Sequence, residues 1–353
     1  MFSFSHVTLH VFLPMLRRLF LIGVLLEIAA GSSALAEDSI HTHAVGSQET
    51  SWLSSLKGMS DAIEWSDQLV CHDWRLQSKP FTDSWRLLDP ENQCCIEGSR
   101  DECMAFFRFR EEAGLIPSVQ GSAVLVLHGL GQGRGSMRPL VEYLRKHSDA
   151  TIMNVGYASP KAQLEDHARS LGLVIHNLPK VDRLSFVTHS LGTLVVRRWM
   201  SMASPEDLKR LDRMVMLGAP NQGSELARIV SRVWFLSFLA DGAAREMVVE
   251  WKRISDQLAI PPCSFGIIAG GRGDNRGFSP LLTGDDDAIV RVAETHLAGA
   301  DDFLLLPVHH ADMMRNPQIQ EATMSFLKTG SFTTLEDRKD TEPAPLRPIE
   351  PPQ

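Results

Sequence analysis

From residue 121 to residue 328 the chain repeats one pattern: a short, continuous apolar run, then a longer stretch with helical spacing. "SAVLVLHG" (122–129) is followed by "MRPLVEYLRKH" (137–147), "ATIMNVGY" (150–157) by "PKAQLEDHARSLGLVIHNL" (160–178), and "RLSFVTHS" (183–190) by "LGTLVVRRWMSMA" (191–203). "LDRMVMLGAP" (211–220), "CSFGIIAGG" (263–271) and "DDFLLLPVHH" (301–310) are further apolar runs, and "NPQIQEATMSFLK" (316–328) reads as a last helix. A run that is apolar at successive positions belongs to a strand buried on both faces. Strands alternating with helices give a parallel sheet with helices packed on both sides. The fold class is therefore α/β, a mostly parallel sheet flanked by helices.

The rest of the chain is organised around that block. Arg17 and Arg18 precede an apolar run, and Ala34-Leu35-Ala36 follows it, which is the layout of a cleaved export signal over 1–36. The run is short and broken by Glu27, so no stable membrane anchor is expected after cleavage. Export implies a periplasmic or secreted protein. Residues 37–60 read as a polar linker, 61–120 as a cysteine-containing extension packed on the core, and 333–353 as a disordered Pro-rich tail. In the extension, short helices and one or two strands ("WRLQ", "WRLLD") are expected. Four of the five cysteines, Cys71, Cys94, Cys95 and Cys103, crowd there; the fifth is Cys263. The spacing is not that of a zinc site, and an exported chain favours a disulfide clip. With 44% hydrophobic residues a sizeable core is expected, and a formal net charge of −8 without a basic cluster excludes a nucleic-acid binder.

One corner of the alternation carries chemistry. In Thr188-His189-Ser190-Leu191-Gly192 a buried strand runs through a serine directly into a helix. The G-x-S-x-G elbow exposes a nucleophilic hydroxyl at such a corner, with small residues where the backbone crowds itself. Here Thr188 replaces the first glycine, and Thr193 stands where a second glycine commonly follows. "VLVLHGLGQG" (124–133) supplies a glycine-rich loop at the end of an earlier strand; with no GK[ST] it is not a phosphate loop. Downstream come "GDDDAIV" (284–290) and the pair His309-His310. Asp287, followed by a small and then β-branched residues, is the acid of choice, with Asp285 and Asp286 as alternatives.

These stretches, with "MVMLGAPNQGSELA" (214–227) and "HADMMRNPQIQEATMSFLKTGSF" (310–332), resemble an extracytoplasmic lipase/esterase-like α/β-hydrolase over about 74–332. Bacterial triacylglycerol lipases and GPI inositol-deacylase-like proteins are the related kinds. The resemblance implies carboxyl-ester hydrolysis through an acyl-serine, with Ser190, Asp287 and His310 as the triad. His310 is preferred over His309 by its spacing to Met314 and Asn316-Pro317. The implied oxyanion donors are the backbone N–H groups of Leu130 and Leu191. No metal or organic cofactor is required. The interruption of the alternation over 221–262 falls where such folds insert a helical cap. Trp234, Phe235 and Phe238 would line a groove there for an ester with an apolar acyl chain, lipids included. An acyltransferase or amidase on the same triad, or a non-catalytic binding protein of this fold, is the alternative.

Overall fold

A computed structural model describes residues 64–225 and 250–332. The export signal (1–36), the linker (37–60), the tail (333–353) and most of the cap, with Trp234, Phe235 and Phe238, lie outside the described residues. Among the described residues, no helix is long and apolar enough to cross a membrane.

The expected alternation becomes a six-stranded, wholly parallel sheet. Its strands are β5 (Gly121–Leu127), β6 (Thr151–Val155), β7 (Val181–His189), β8 (Leu211–Leu217), β9 (Ser264–Gly270) and β10 (Asp302–Leu306), in the order β6-β5-β7-β8-β9-β10. Alternate side chains serve opposite faces, as the strand period of two requires. Leu125, Leu127, Phe186, Met214, Met216 and Ile267 meet helices α3 (Leu164–His176) and α4 (Leu191–Met200) in one core cluster. Val124, Val126, Val187, Val215, Leu217 and Ile268 meet α2 (Arg134–His147) and α8 (Pro317–Thr329) in a second. Two covered faces explain why these strands read as continuous apolar runs. The expected class, α/β with a parallel sheet flanked by helices, is the observed one, with a strand–turn–helix corner after β7.

The N-terminal extension differs from its expectation. It holds four strands, β1 (Ser66–Cys71), β2 (Trp74–Ser78), β3 (Trp85–Leu88) and β4 (Cys94–Gly98), paired in an antiparallel meander. One helix follows, α1 (Arg100–Glu112), opened by a Ser99–Glu102 capping box. β1 and β4 were missed because neither "SDQLVC" nor "CCIEG" carries an alternating apolar pattern. The expected disulfide clip is not seen: the five cysteines, all among the described residues, form no disulfide in the structure. Cys71 Sγ donates to the Pro117 carbonyl at 3.0 Å, Cys103 is buried in α1, and the adjacent Cys94 and Cys95 lie on one strand. Neighbours on a strand point to opposite faces, so they cannot both face one partner.

A buried carboxylate joins the meander to the parallel sheet. Asp67 accepts from Arg75 Nη1 at 2.8 Å, Gln77 Nε2 at 2.7 Å and the Gly156 N–H at 2.7 Å. Arg75 Nη1 also donates to the Asn154 carbonyl at 2.7 Å. Short helices α5 (Pro205–Lys209), α6 (Trp251–Ser255) and α7 (Val292–Thr295) complete the described elements, with a 3₁₀ turn at His310–Arg315.

Candidate active site

Strand order directs attention to one crevice. The chain leaves β5 for the edge strand β6, then returns past β5 to form β7. Loops from β5 and β7 therefore part at their carboxyl ends, and such a switch point is where open α/β sheets hold ligands. Both motif loops lie there: His128–Gly133 follows β5, and Ser190 follows β7.

Ser190 sits at the apex with φ 52° and ψ −122°, a backbone conformation that non-glycine residues avoid at a cost of about 1–3 kcal/mol. The neighbours enforce it. The Ser190 N–H donates to the Leu217 carbonyl at 3.0 Å, and α4 starts at the next residue. A side chain on Gly192 would begin 2.8 Å from the His128 carbonyl oxygen and 2.9 Å from that of Leu127, so only glycine lets α4 start so close to β5. The two departures from the elbow pattern complement each other: Thr193 Oγ1 bonds Thr188 Oγ1 at 2.8 Å, and Thr188 Oγ1 donates to the Val215 carbonyl at 3.3 Å. Both threonines are fully buried.

The structure brings Asp287 and His310 together and separates their alternatives. Asp287 Oδ2 is 2.7 Å from His310 Nδ1, and its Oδ1 accepts from the N–H groups of Ile289 at 3.0 Å and Val290 at 2.7 Å. The His310 N–H closes the link on the Asp287 carbonyl at 2.8 Å. Asp285 instead accepts from the N–H groups of Arg272 and Gly273. Asp286 Oδ1 gathers three, from Phe278, Ser279 and Ala288, and so braces the loop that carries Asp287. His309 stacks on Phe278 with centroids 4.0 Å apart. The hydroxyl of Ser190 makes no hydrogen bond among the described residues. Its neighbour His189 spans to the acid–histidine pair: the His189 ring lies 4.4 Å from that of His310, with Nε2 3.1 Å from the His310 carbonyl. Burial, with His310 adjacent, holds the His189 pKa well below the ordinary histidine value, so this ring is neutral.

The loop after β5 is fixed from behind. The Tyr157 hydroxyl donates to the His128 carbonyl at 2.6 Å, and the Tyr157 N–H donates to His128 Nε2 at 3.4 Å. His128 Nδ1 must then carry the proton, and it donates to the Gly129 carbonyl at 2.9 Å. The two rings stack 4.3 Å apart, and burial pushes the His128 pKa down to about 4. The Gly131 N–H donates to Ser159 Oγ at 3.0 Å. Leu130, between these anchors, is half-exposed at the top of the loop, while Leu191 is the first residue of α4, where backbone N–H groups lack intrahelical partners. Among the described residues, no group of three or more His, Cys, Asp or Glu side chains is arranged to hold a metal ion.

Sequence reasoning missed His189, Tyr157 and Asp286 as structural partners of the site. His189 and Asp286 carried a signal, by adjacency to Ser190 and to Asp287, though not of these roles; Tyr157 meets the site through a contact with His128, 29 residues away.

No protein-family model matches the chain, and no curated protein does. Solved structures do resemble it. The mature form of Bacillus licheniformis lipase BlEst2 matches with a TM-score of 0.47 and 16% identity, over 61% of this chain and 93% of that one. Phospholipase PlaB from Legionella pneumophila matches with a TM-score of 0.48 and 16% identity, over 60% of this chain and 59% of that one. The metagenomic carboxyl esterase MGS0156 matches with a TM-score of 0.40 and 17% identity, over 56% of this chain and 68% of that one.

Proposed function

We propose that the protein is a carboxyl-ester hydrolase acting through Ser190, His310 and Asp287 by way of an acyl-serine. The carrying observation is a buried acid–histidine pair beside a serine held in a strained turn at the sheet's switch point. With Nδ1 bound to Asp287, the His310 Nε2 lone pair is left to take the Ser190 proton as the hydroxyl attacks the ester carbonyl. Asp287 fixes that tautomer and stabilises the imidazolium. The N–H groups of Leu130 and Leu191 receive the developing oxyanion. His310 then returns the proton to the leaving alcohol, and water, activated by His310, releases the acid.

The substrate in this reading carries an apolar acyl chain. Residues 1–36 direct export to the periplasm or beyond. The test combines a serine-directed fluorophosphonate probe with p-nitrophenyl esters from acetyl to medium chain length. Wild type should be labelled and turn over, with kcat/KM rising with chain length. Ser190→Ala should lose labelling and nearly all turnover, on the order of 10⁶-fold as for other serine triads. A folded Ser190→Ala variant that kept a tenth of the activity would remove Ser190 from the mechanism. Preferential transfer of the acyl group to an added alcohol over water would reassign the protein as an acyltransferase.

A further inference from the structure

Gln132 lies three residues beyond Gly129 in the loop after β5, and two reciprocal bonds clasp it there. Its backbone N–H donates to the Gly129 carbonyl at 3.4 Å, and the Gly129 N–H donates to its Oε1 at 3.3 Å. The second bond orients the carboxamide, because a backbone N–H requires the oxygen. That leaves Nε2 with both of its N–H donors, and it bonds to no described residue.

The same carboxamide and Ser190 border one gap, the space left by the missing side chain of Gly129. A side chain on Gly129 would begin 3.1 Å from Ser190 Cβ, 3.1 Å from His189 Nδ1 and 3.3 Å from Gln132 Oε1. Three side chains thus converge on one point at the carboxyl end of β5. Gly129 provides the gap between them. Two of the three have no donor to offer there: His189 is neutral, with its buried Nδ1 unpartnered, and Ser190 is the attacking group. Gln132 is the side chain that brings donors. It is half-buried, so its N–H groups are partly withdrawn from water, which strengthens a bond to a developing charge.

We propose that Gln132 is a catalytic residue: Nε2–H donates to the carbonyl oxygen that becomes anionic when Ser190 adds to the ester, alongside the Leu130 and Leu191 amides. The assignment rests on the ester-hydrolase reading above. It is distinct from a purely structural clasp, which needs only Oε1.

Two substitutions separate these roles. Gln132→Glu keeps an acceptor of the same reach for the Gly129 N–H but deletes both donors. Gln132→Met deletes acceptor and donors without adding charge. With thermal melting unchanged, both variants should lose kcat by about 10- to 10³-fold, the range for one oxyanion donor, with KM moved less than about threefold. Affinity for phenylboronic acid, whose serine adduct is tetrahedral and anionic, should fall in parallel. A Glu variant that keeps at least half of the wild-type kcat and boronate affinity while the Met variant loses both would make Gln132 a clasp and overturn the proposal. Full activity in both variants overturns it as well. Wild type that neither labels with fluorophosphonate nor hydrolyses any ester would instead sink the hydrolase reading, and this assignment with it.

Discussion

Thr188 and Thr193 flank Ser190 at positions where an elbow usually has glycine. Thr188 bonds both Thr193 and the Val215 carbonyl, whereas Thr193 bonds Thr188 alone, so loss of Thr188 would strand a buried hydroxyl at a cost of about 1–3 kcal/mol. Thr188→Val should therefore destabilise by about that amount and Thr193→Val by less, while the double variant should cost less than the sum, with a coupling of about 0.5–3 kcal/mol. Urea unfolding of the four proteins measures the cycle, and strict additivity would show that the hydroxyls do not act as a pair. The adjacent histidines divide in the same residue-by-residue way. His310→Ala should lose activity as Ser190→Ala does. His309→Ala, which removes only the stack on Phe278, should stay within about tenfold of wild type. Reversed effects on kcat would make His309 the base.

At the scale of elements, the meander is fastened to the parallel sheet by a charge taken fully out of water. Asp67 and Arg75 are both essentially inaccessible, and the carboxylate is further bonded by Gln77 and Gly156. Gly156 is followed by Tyr157 and Ser159, the residues that hold the loop after β5, so the fastening lies one step behind the site. Removing Asp67 leaves the buried Arg75 with only the Asn154 carbonyl and, at 3.5 Å, the partly exposed Asp73, and breaking a buried pair costs about 3–5 kcal/mol. Asp67→Ala should cost that much in equilibrium unfolding. Because the Tyr157–His128 stack would lose its support, kcat should fall as well. A change below 1 kcal/mol would mean that Arg75 finds water or another acceptor once Asp67 is gone.

For the whole molecule, three buried neutral histidines set the response to acid. Burial holds His128 and His167 down to about 4 and His189 well below the ordinary value. Between about pH 6.5 and pH 4 the unfolded chain binds protons that the folded one refuses, so stability rises with pH across that window. Their contribution is fully present above about 6.5 and declines as the pH falls; the His128 and His167 parts level off near 4, while the His189 part continues to decline toward its own, well lowered pKa. Urea midpoints should drop between about pH 7 and pH 5, and His167→Gln should make the slope shallower. A midpoint independent of pH in that window would contradict the neutral assignment.

The parallel sheet, its helices and the serine corner were legible in the sequence because each rests on local pattern. Continuous apolar runs mark strands buried on both faces, and Leu191–Met200 follows Ser190 with helical spacing. β1 and β4 were not legible, since "SDQLVC" and "CCIEG" become strands by pairing with β2 and β3, not by their own pattern. Nor was the fate of the cysteines, which depends on where each thiol points and on the acceptor that Pro117 offers Cys71. Among three consecutive aspartates, composition is the same, and only the tertiary fold decides. Asp285 and Asp286 turn to the backbone of their own loop, while Asp287 meets a histidine 23 residues away. Likewise Gln132 is an ordinary polar loop residue in the sequence. It shares with Ser190 the gap that Gly129 leaves, and the approach of the loop after β5 to the turn after β7 cannot be read from either strand alone.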